Sequence, residues 1–341
     1  MGSFDISNLV MAFMAGAAGA GFGGFYFFVL CAGIALVGAV TGINTSEFAF
    51  GPLLTPATNF IGSVVAAAYA NYKGYEGGGF AGGSTLMSLR KPGLIILGGV
   101  GGLLGWMLNA VITMLGVPGL DTVACAVVII PLIWKTILQK TPVGVVPEED
   151  KAVGGRFSPL GGRGWFGGMR RGIDKLLWPA AYGAVMVTGY VALMQGGMTA
   201  CANLLGFGFG GFVLLFPTVP AQHFIGGAAI TAFTLSGIDP VTDPNAYLIG
   251  ALYGIAFGSL ATHFADLGAD VFYRYGYTHI DIPAQSLAYC TLITGVLSLL
   301  GVMTLGGGLV VPIVVEVLCI IWSVAYDAKW KKFAAAKGMA Y

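Results

Sequence analysis

The sequence predicts an all-α polytopic membrane protein of about eleven segments, built as two inverted five-segment repeats plus a terminal helix, with broken or re-entrant pieces. Three observations predict it. The 341 residues are 57% apolar and only 9% charged, against roughly 25% charged in an ordinary soluble protein. Apolar runs near the length of about 20 residues that a helix needs to cross hydrocarbon recur between polar, Gly and Pro punctuation. Fragments of the first half return, in the same order, beyond a charged central stretch.

The clear runs are 52–70, 92–116, 120–138, 178–195, 246–263, 283–303 and 308–327. Two others, 8–41 and 204–236, are too long for one untilted crossing and are interrupted by GFGGF, the second also by Pro217 and Pro220. Each is expected to pass twice or to dip in and return. The opening MGSFDISN has no basic residue before its apolar run, so it lacks the positive region of a cleavable signal, and position 6 is not the Ser or Thr of a myristoylation motif. The first run is therefore expected to stay in the membrane.

Basic residues accumulate on the cytoplasmic side of short loops. Eight of the sixteen Lys and Arg lie between Lys135 and Lys175, four in the tail at Lys329, Lys331, Lys332 and Lys337, three at Lys73, Arg90 and Lys91, and the last is Arg274. With the central stretch inside, all sixteen fall on the cytoplasmic side. The alternate loops 42–51, 117–121, 196–203, 237–245 and 304–307 carry Glu47, Asp121, Asp239 and Asp243 and no basic residue. The expected protein is a multi-pass cell-membrane protein, N-terminus outside and C-terminus cytoplasmic. Its parts are a first repeat (1–139), a cytoplasmic linker (140–175), a second inverted repeat (176–303), an extra helix (304–327) and a basic tail (328–341). Trp165 and Phe166 among the linker charges leave two readings, a headgroup-binding segment or a solvated loop.

Three fragment pairs carry the duplication. GFGGF stands at Gly21–Phe25 and Gly208–Phe212; GPLLTPATNFIGSVVAAAY (Gly51–Tyr69) is echoed by FPTVPAQHFIGGAAITAF (Phe216–Phe233); LDTVACA (Leu120–Ala126) is echoed by IDIPAQS (Ile280–Ser286). The proposed crossings run the members of each later pair in opposite directions, so the halves are antiparallel. In inverted-repeat transporters the substrate lies near the midplane where the halves meet. The segment count resembles that of ammonium and urea channels, but none of their signature motifs is present.

Pro52, Pro56, Pro217 and Pro220 break helical hydrogen bonding, and such backbone is tolerated at membrane depth only beside protein or a water-filled cavity. Thr55, Thr58 and Asn59, with Thr218, Gln222 and His223, are the candidate solute pathway; the alternative is that they cap helices. Asn59 and His223 each precede Phe-Ile-Gly and are equivalent. Asp121 and Asp281 are expected either to cap two equivalent helices or to stand at the mouths of the path. His263, Asp266, Asp270, Arg274 and His279 read as loop residues, with a proton-coupled gate as the functional alternative for the histidines. Glu316, inside an uninterrupted apolar span, is expected to couple transport or to bond across a subunit contact. Trp178 and Trp322 fit interfacial anchors.

Other chemistry finds little support. Both GFGGF copies satisfy GxGxxG, through Gly19, Gly21, Gly24 and Gly206, Gly208, Gly211, but without the strand and acidic residue of a dinucleotide fold; close helix packing is the ordinary use of such glycines. Cys31, Cys125, Cys201, Cys290 and Cys319 lie singly, so no metal or other cofactor is expected. No HExxH, GxSxG or Walker pattern marks an enzyme. A net charge of +1 argues against nucleic acid. The expected partners are the lipid bilayer, a small-molecule solute, and a second copy or another membrane protein. The leading function is a channel or secondary transporter for a small neutral or singly charged polar solute; the alternative is a non-catalytic integral membrane subunit of a larger complex.

Overall fold

The computed structural model describes residues 4–75, 83–160, 171–216 and 222–341, and among them the chain is all-helical. In order come α1 (Ile6–Phe22), α2 (Gly24–Thr41), a short α3 (Ser46–Ala49), α4 (Asn59–Tyr72), α5 (Pro92–Thr113), α6 (Thr122–Gln139) and a short α7 (Glu148–Ala152). Then follow α8 (Asp174–Gln195), α9 (Leu205–Phe212), α10 (His223–Thr234), α11 (Ala246–Gly268) with a π-helical turn at Ala269–Tyr273, α12 (Ile282–Leu299) and α13 (Val310–Ala336). Seven are long and apolar enough to cross a membrane: α2, α5, α6, α8, α11 with its π turn, α12 and α13. The chain is a helical membrane protein.

Both over-long runs divide. The first breaks at Gly23, whose φ of 103° only glycine adopts without strain. The second yields α9, a 3₁₀ turn at Val213–Leu215, and then α10. The 52–70 run is shorter as a helix than expected, because Pro52 and Pro56 hold 51–58 in turns and α4 begins only at Asn59. With 14 and 12 residues, α4 and α10 rise only about 21 and 18 Å. Both are buried along nearly their whole length.

The same contacts occur on both sides of the linker. In the first half α1 packs on α5 and α4, α4 on α5, and α5 on α6; in the second α8 packs on α11 and α10, α10 on α11, and α11 on α12. Glycines make the closest of these approaches. A Cβ on Gly102 would meet the Ala12 carbonyl at 2.6 Å and Gly16 Cα at 2.7 Å, and one on Gly254 would meet the Gly183 carbonyl at 2.4 Å. The two sets join through α2 against α9 and α6 against α12.

The ends of the bundle differ in charge. At one end Arg156, Lys175, Arg274 and the close of α13 meet: Arg274 donates to the Arg156 and Ser158 carbonyls, Lys175 pairs with Asp266, and Trp330 covers Gly154. Tyr72, beside Lys73, lies near Tyr277 at the same end. At the other end the loops without basic residues touch one another: Asn44 meets Cys201, Gln195 donates to the Pro240 carbonyl, and Gly237 packs on Thr304.

Candidate functional site

α4 and α10 start in the middle of the helices they pack on. Ala57 and Ile61 crowd Gly105, and Gly62 crowds Gly101, near the centre of α5; Ile225 crowds Gly258, near the centre of α11. From there the two helices diverge. α4 runs to Lys73 at the basic end, whereas α10 runs to Leu235, which packs on Gly119 at the other. Between them, where the two sets of helices meet, lies a cavity of about 290 Å³.

The starts of α6 and α12 form one wall. Asp121 and Asp281 cap them, each accepting the amide of the residue three positions on, Ala124 and Ala284, at 2.8 Å. Both carboxylates line the cavity as well, so capping and lining coincide. The Asp121 amide donates to Thr291 Oγ1 at 3.0 Å. Thr291 stands ten residues beyond Asp281, so the carboxylates are staggered by about 15 Å along the antiparallel pair. Of the two expectations for them the caps are present, whereas the placement at two separate mouths is corrected, since both line one space.

Much of the remaining lining is aromatic. Phe25 and Phe28 of α2, Phe60 of α4 and Phe207 of α9 line it together with His223 at the start of α10. The rings interlock, with centroids 5.5 Å apart for Phe25 and Phe60 and 5.4 Å for Phe28 and Phe207, and the His223 imidazole lies 4.8 Å from Phe28. His223 is 4% exposed, and its Nδ1 has no hydrogen-bond partner among the described residues. Towards the end without basic residues the lining reaches Phe50, Gly119 and Asn203. At the other side Asp281 Oδ1 lies 3.3 Å from His279 Nε2, and His279 is packed among Phe25, Phe60 and Tyr273.

The remaining candidates separate. Asn59 is wholly buried and does not line the cavity, and neither atom of its amide has a partner among the described residues. Thr55 and Thr58 serve their own turn: Thr58 Oγ1 donates to the Thr55 carbonyl at 2.9 Å, and Thr55 Oγ1 accepts from the Ala57 amide at 3.4 Å. Gln222 stands just before α10, its amide directed at the Gly210 carbonyl at 3.4 Å. Thr218, with Pro217 and Pro220, lies outside the described residues, as do Trp165 and Phe166. Glu316 turns inward to Ser259 of α11.

His263 belongs elsewhere, bonded through Nδ1 to the Ser259 carbonyl at 2.8 Å and through Nε2 to Ser323 Oγ at 2.9 Å. The expectation that 263–279 is a solvated loop is corrected. α11 and its π turn extend through Tyr273, and Asp270, Arg274 and His279 are buried. The polar residues there are compensated by distant segments. Arg274 pairs with Asp270 at 3.0 Å, Arg156 donates to the Val143 and Val271 carbonyls at 2.7 and 3.1 Å, and the fully buried Lys135 donates to those of Phe272 and Tyr275. The linker's Arg156 and Lys175 are thus bound to the protein itself, Lys175 buried and Arg156 partly so. No local sequence pattern marks the aromatic lining, and Lys135 is marked only as a lysine within the 120–138 run.

Residues 178–311 match the sequence profile of a family described only as a family of unknown function (DUF7973). Neither a curated protein nor a solved structure matches the chain.

Proposed function

We propose that the chain is a channel or secondary transporter for a small neutral or singly charged polar solute, with its pathway between two inverted repeats. The cavity carries this reading: it sits where two similarly packed sets of helices meet and is lined by two carboxylates, an imidazole and four capped or broken helix starts. The opposite directions of α4 and α10 from mid-bundle support the inversion. The matching caps of α6 and α12, at Asp121 and Asp281, support it further. Helices that begin inside the bilayer leave first-turn amides without helical acceptors, and polar groups or a solute at that level satisfy them.

In this reading the basic end is cytoplasmic. The cavity then faces outward, because its lining reaches Phe50, Gly119 and Asn203 while His279 and the ion pairs of Asp266 and Asp270 fill the inner side. The test is a solute-uptake screen in proteoliposomes, with and without imposed proton and sodium gradients. Saturable uptake above protein-free vesicles is expected; flux that needs no gradient identifies a channel. Absence of flux for every small polar solute, in vesicles containing folded protein, overturns the reading.

A further inference from the structure

We propose that the cavity between the helix sets binds a small monovalent organic cation of the alkylammonium class. This deepens the transport reading and rests on the cavity being the solute site. Asp121 and Asp281 are the only acidic residues on its wall among the described residues, and no Lys or Arg lines it. Phe25, Phe28, Phe60 and Phe207 line the same cavity. An aromatic face attracts a cation through its quadrupole, and alkyl groups on that cation gain contact with the ring. Inorganic cations are served less well, because a dehydrated metal ion needs several oxygen ligands. Among the described residues no group of three or more Asp, Glu, His or Cys is placed to hold one.

The field argues against more than one positive charge. Each capped helix start carries the equivalent of about +0.5 charge, which offsets about half of its own carboxylate, and the starts of α4 and α10 at the same cavity add similar positive increments. Little net negative charge is left to compensate the desolvation of a divalent cation, so a singly charged ion that also gains from the rings is the one accommodated. His223 supplies the independent mark of a ligand. It is nine-tenths buried, lines the cavity, and leaves Nδ1 without a partner among the described residues. A buried donor or acceptor left unmade costs about 1–3 kcal/mol, so a bound molecule or its water that reaches this nitrogen removes a standing cost.

The experiment titrates the purified full-length chain in detergent with tetramethylammonium and ethylammonium chloride, using calorimetry, and with sodium acetate and glycerol for comparison. Saturable binding of the ammonium ions, and none of acetate or glycerol at the same concentrations, is expected. Asp121→Asn and Asp281→Asn keep a side chain that caps a helix nearly as well as Asp, so they remove charge while preserving the fold, and each should weaken binding at least about tenfold. Phe28→Leu should weaken it by about three- to tenfold. Asp239→Asn, in an exposed loop, should leave it unchanged. Equal affinity for glycerol or acetate, no saturable binding of either ammonium ion, or unaltered binding in both Asp→Asn variants with native melting temperature overturns the proposal. Proteoliposome uptake separates it from the reading beneath it. Ammonium binding without uptake leaves the site standing and removes transport, whereas uptake of a neutral solute without ammonium binding does the reverse.

Discussion

At the residue scale, Asn59 and His223 stand in like positions, which the proposed inverted repeat would make equivalent. Each is the first residue of a short buried helix that begins at mid-bundle, and each holds polar atoms without partners among the described residues. An apolar side chain would pack there at lower cost, since an unsatisfied buried amide costs about 1–3 kcal/mol. Asn59→Leu should therefore leave the melting temperature unchanged or raise it and, because Asn59 does not line the cavity, leave solute flux unchanged; a lowered melting temperature would give its amide a structural role. For His223 two substitutions separate the roles. His223→Gln keeps a hydrogen-bonding group and should preserve abundance and melting temperature while changing flux. Unchanged flux in a stable His223→Ala protein would remove the residue from the pathway. The caps behave differently, because their carboxylates bond their own helices. Asp121→Ala should cost about 1 kcal/mol in thermal unfolding, where Asp121→Asn costs a few tenths at most.

At the scale of elements, the glycines decide how near the helices come. α1 meets α5 at Gly16 and Gly102, and α8 meets α11 at Gly183 and Gly254, with backbone where a side chain would stand. Gly102→Leu and Gly254→Leu should each destabilise by about 1–3 kcal/mol or more through overpacking, read as lost monodisperse protein on heating. Gly93→Ala, where nothing stands within 4 Å of the added carbon, should be neutral. Much of this level was legible in the sequence. The division at Gly23 and the paired caps follow from local rules that residues obey without knowing their neighbours, whereas the 52–70 run reads as one crossing although Pro52 and Pro56 mark the break before α4. GFGGF misled for the same reason that it attracted notice. In a chain with 56 glycines a five-residue identity is weak, and its first copy spans the α1–α2 junction whereas the second lies within α9. The extension of α11 was illegible because the partners of Asp266 and Arg274 are Lys175 and the linker, far away in sequence. The aromatic lining was hidden likewise, since its rings come from α2, α4 and α9 and no spacing within one helix announces it.

At the scale of the molecule, the distribution of charge is the property that orients it. The described part of the linker, the 269–278 segment and the end of α13 form one polar body, held by Arg156 on the Val271 carbonyl, by Lys175 on Asp266 with its ammonium 3.7 Å from the Tyr326 ring, and by Trp330 on Gly154. Moving that body across a bilayer would carry several charges through hydrocarbon, whereas the loop around Asp239 and Asp243 carries no Lys or Arg that would hold it inside. The two ends should therefore lie on opposite sides, with the ion-paired end in the cytoplasm. Cysteine scanning tests this directly, because Cys31, Cys201, Cys290 and Cys319 are buried and only Cys125 needs replacing by Ala to lower the background. A cysteine at Asp243 should react with a membrane-impermeant maleimide in intact cells, and one at Lys151 only after the membrane is opened. Labelling of both from outside would remove the linker from the cytoplasm. Labelling of Asp243→Cys only after opening would put the ends on the same side, and with that the antiparallel halves and an outward-facing cavity would fall together.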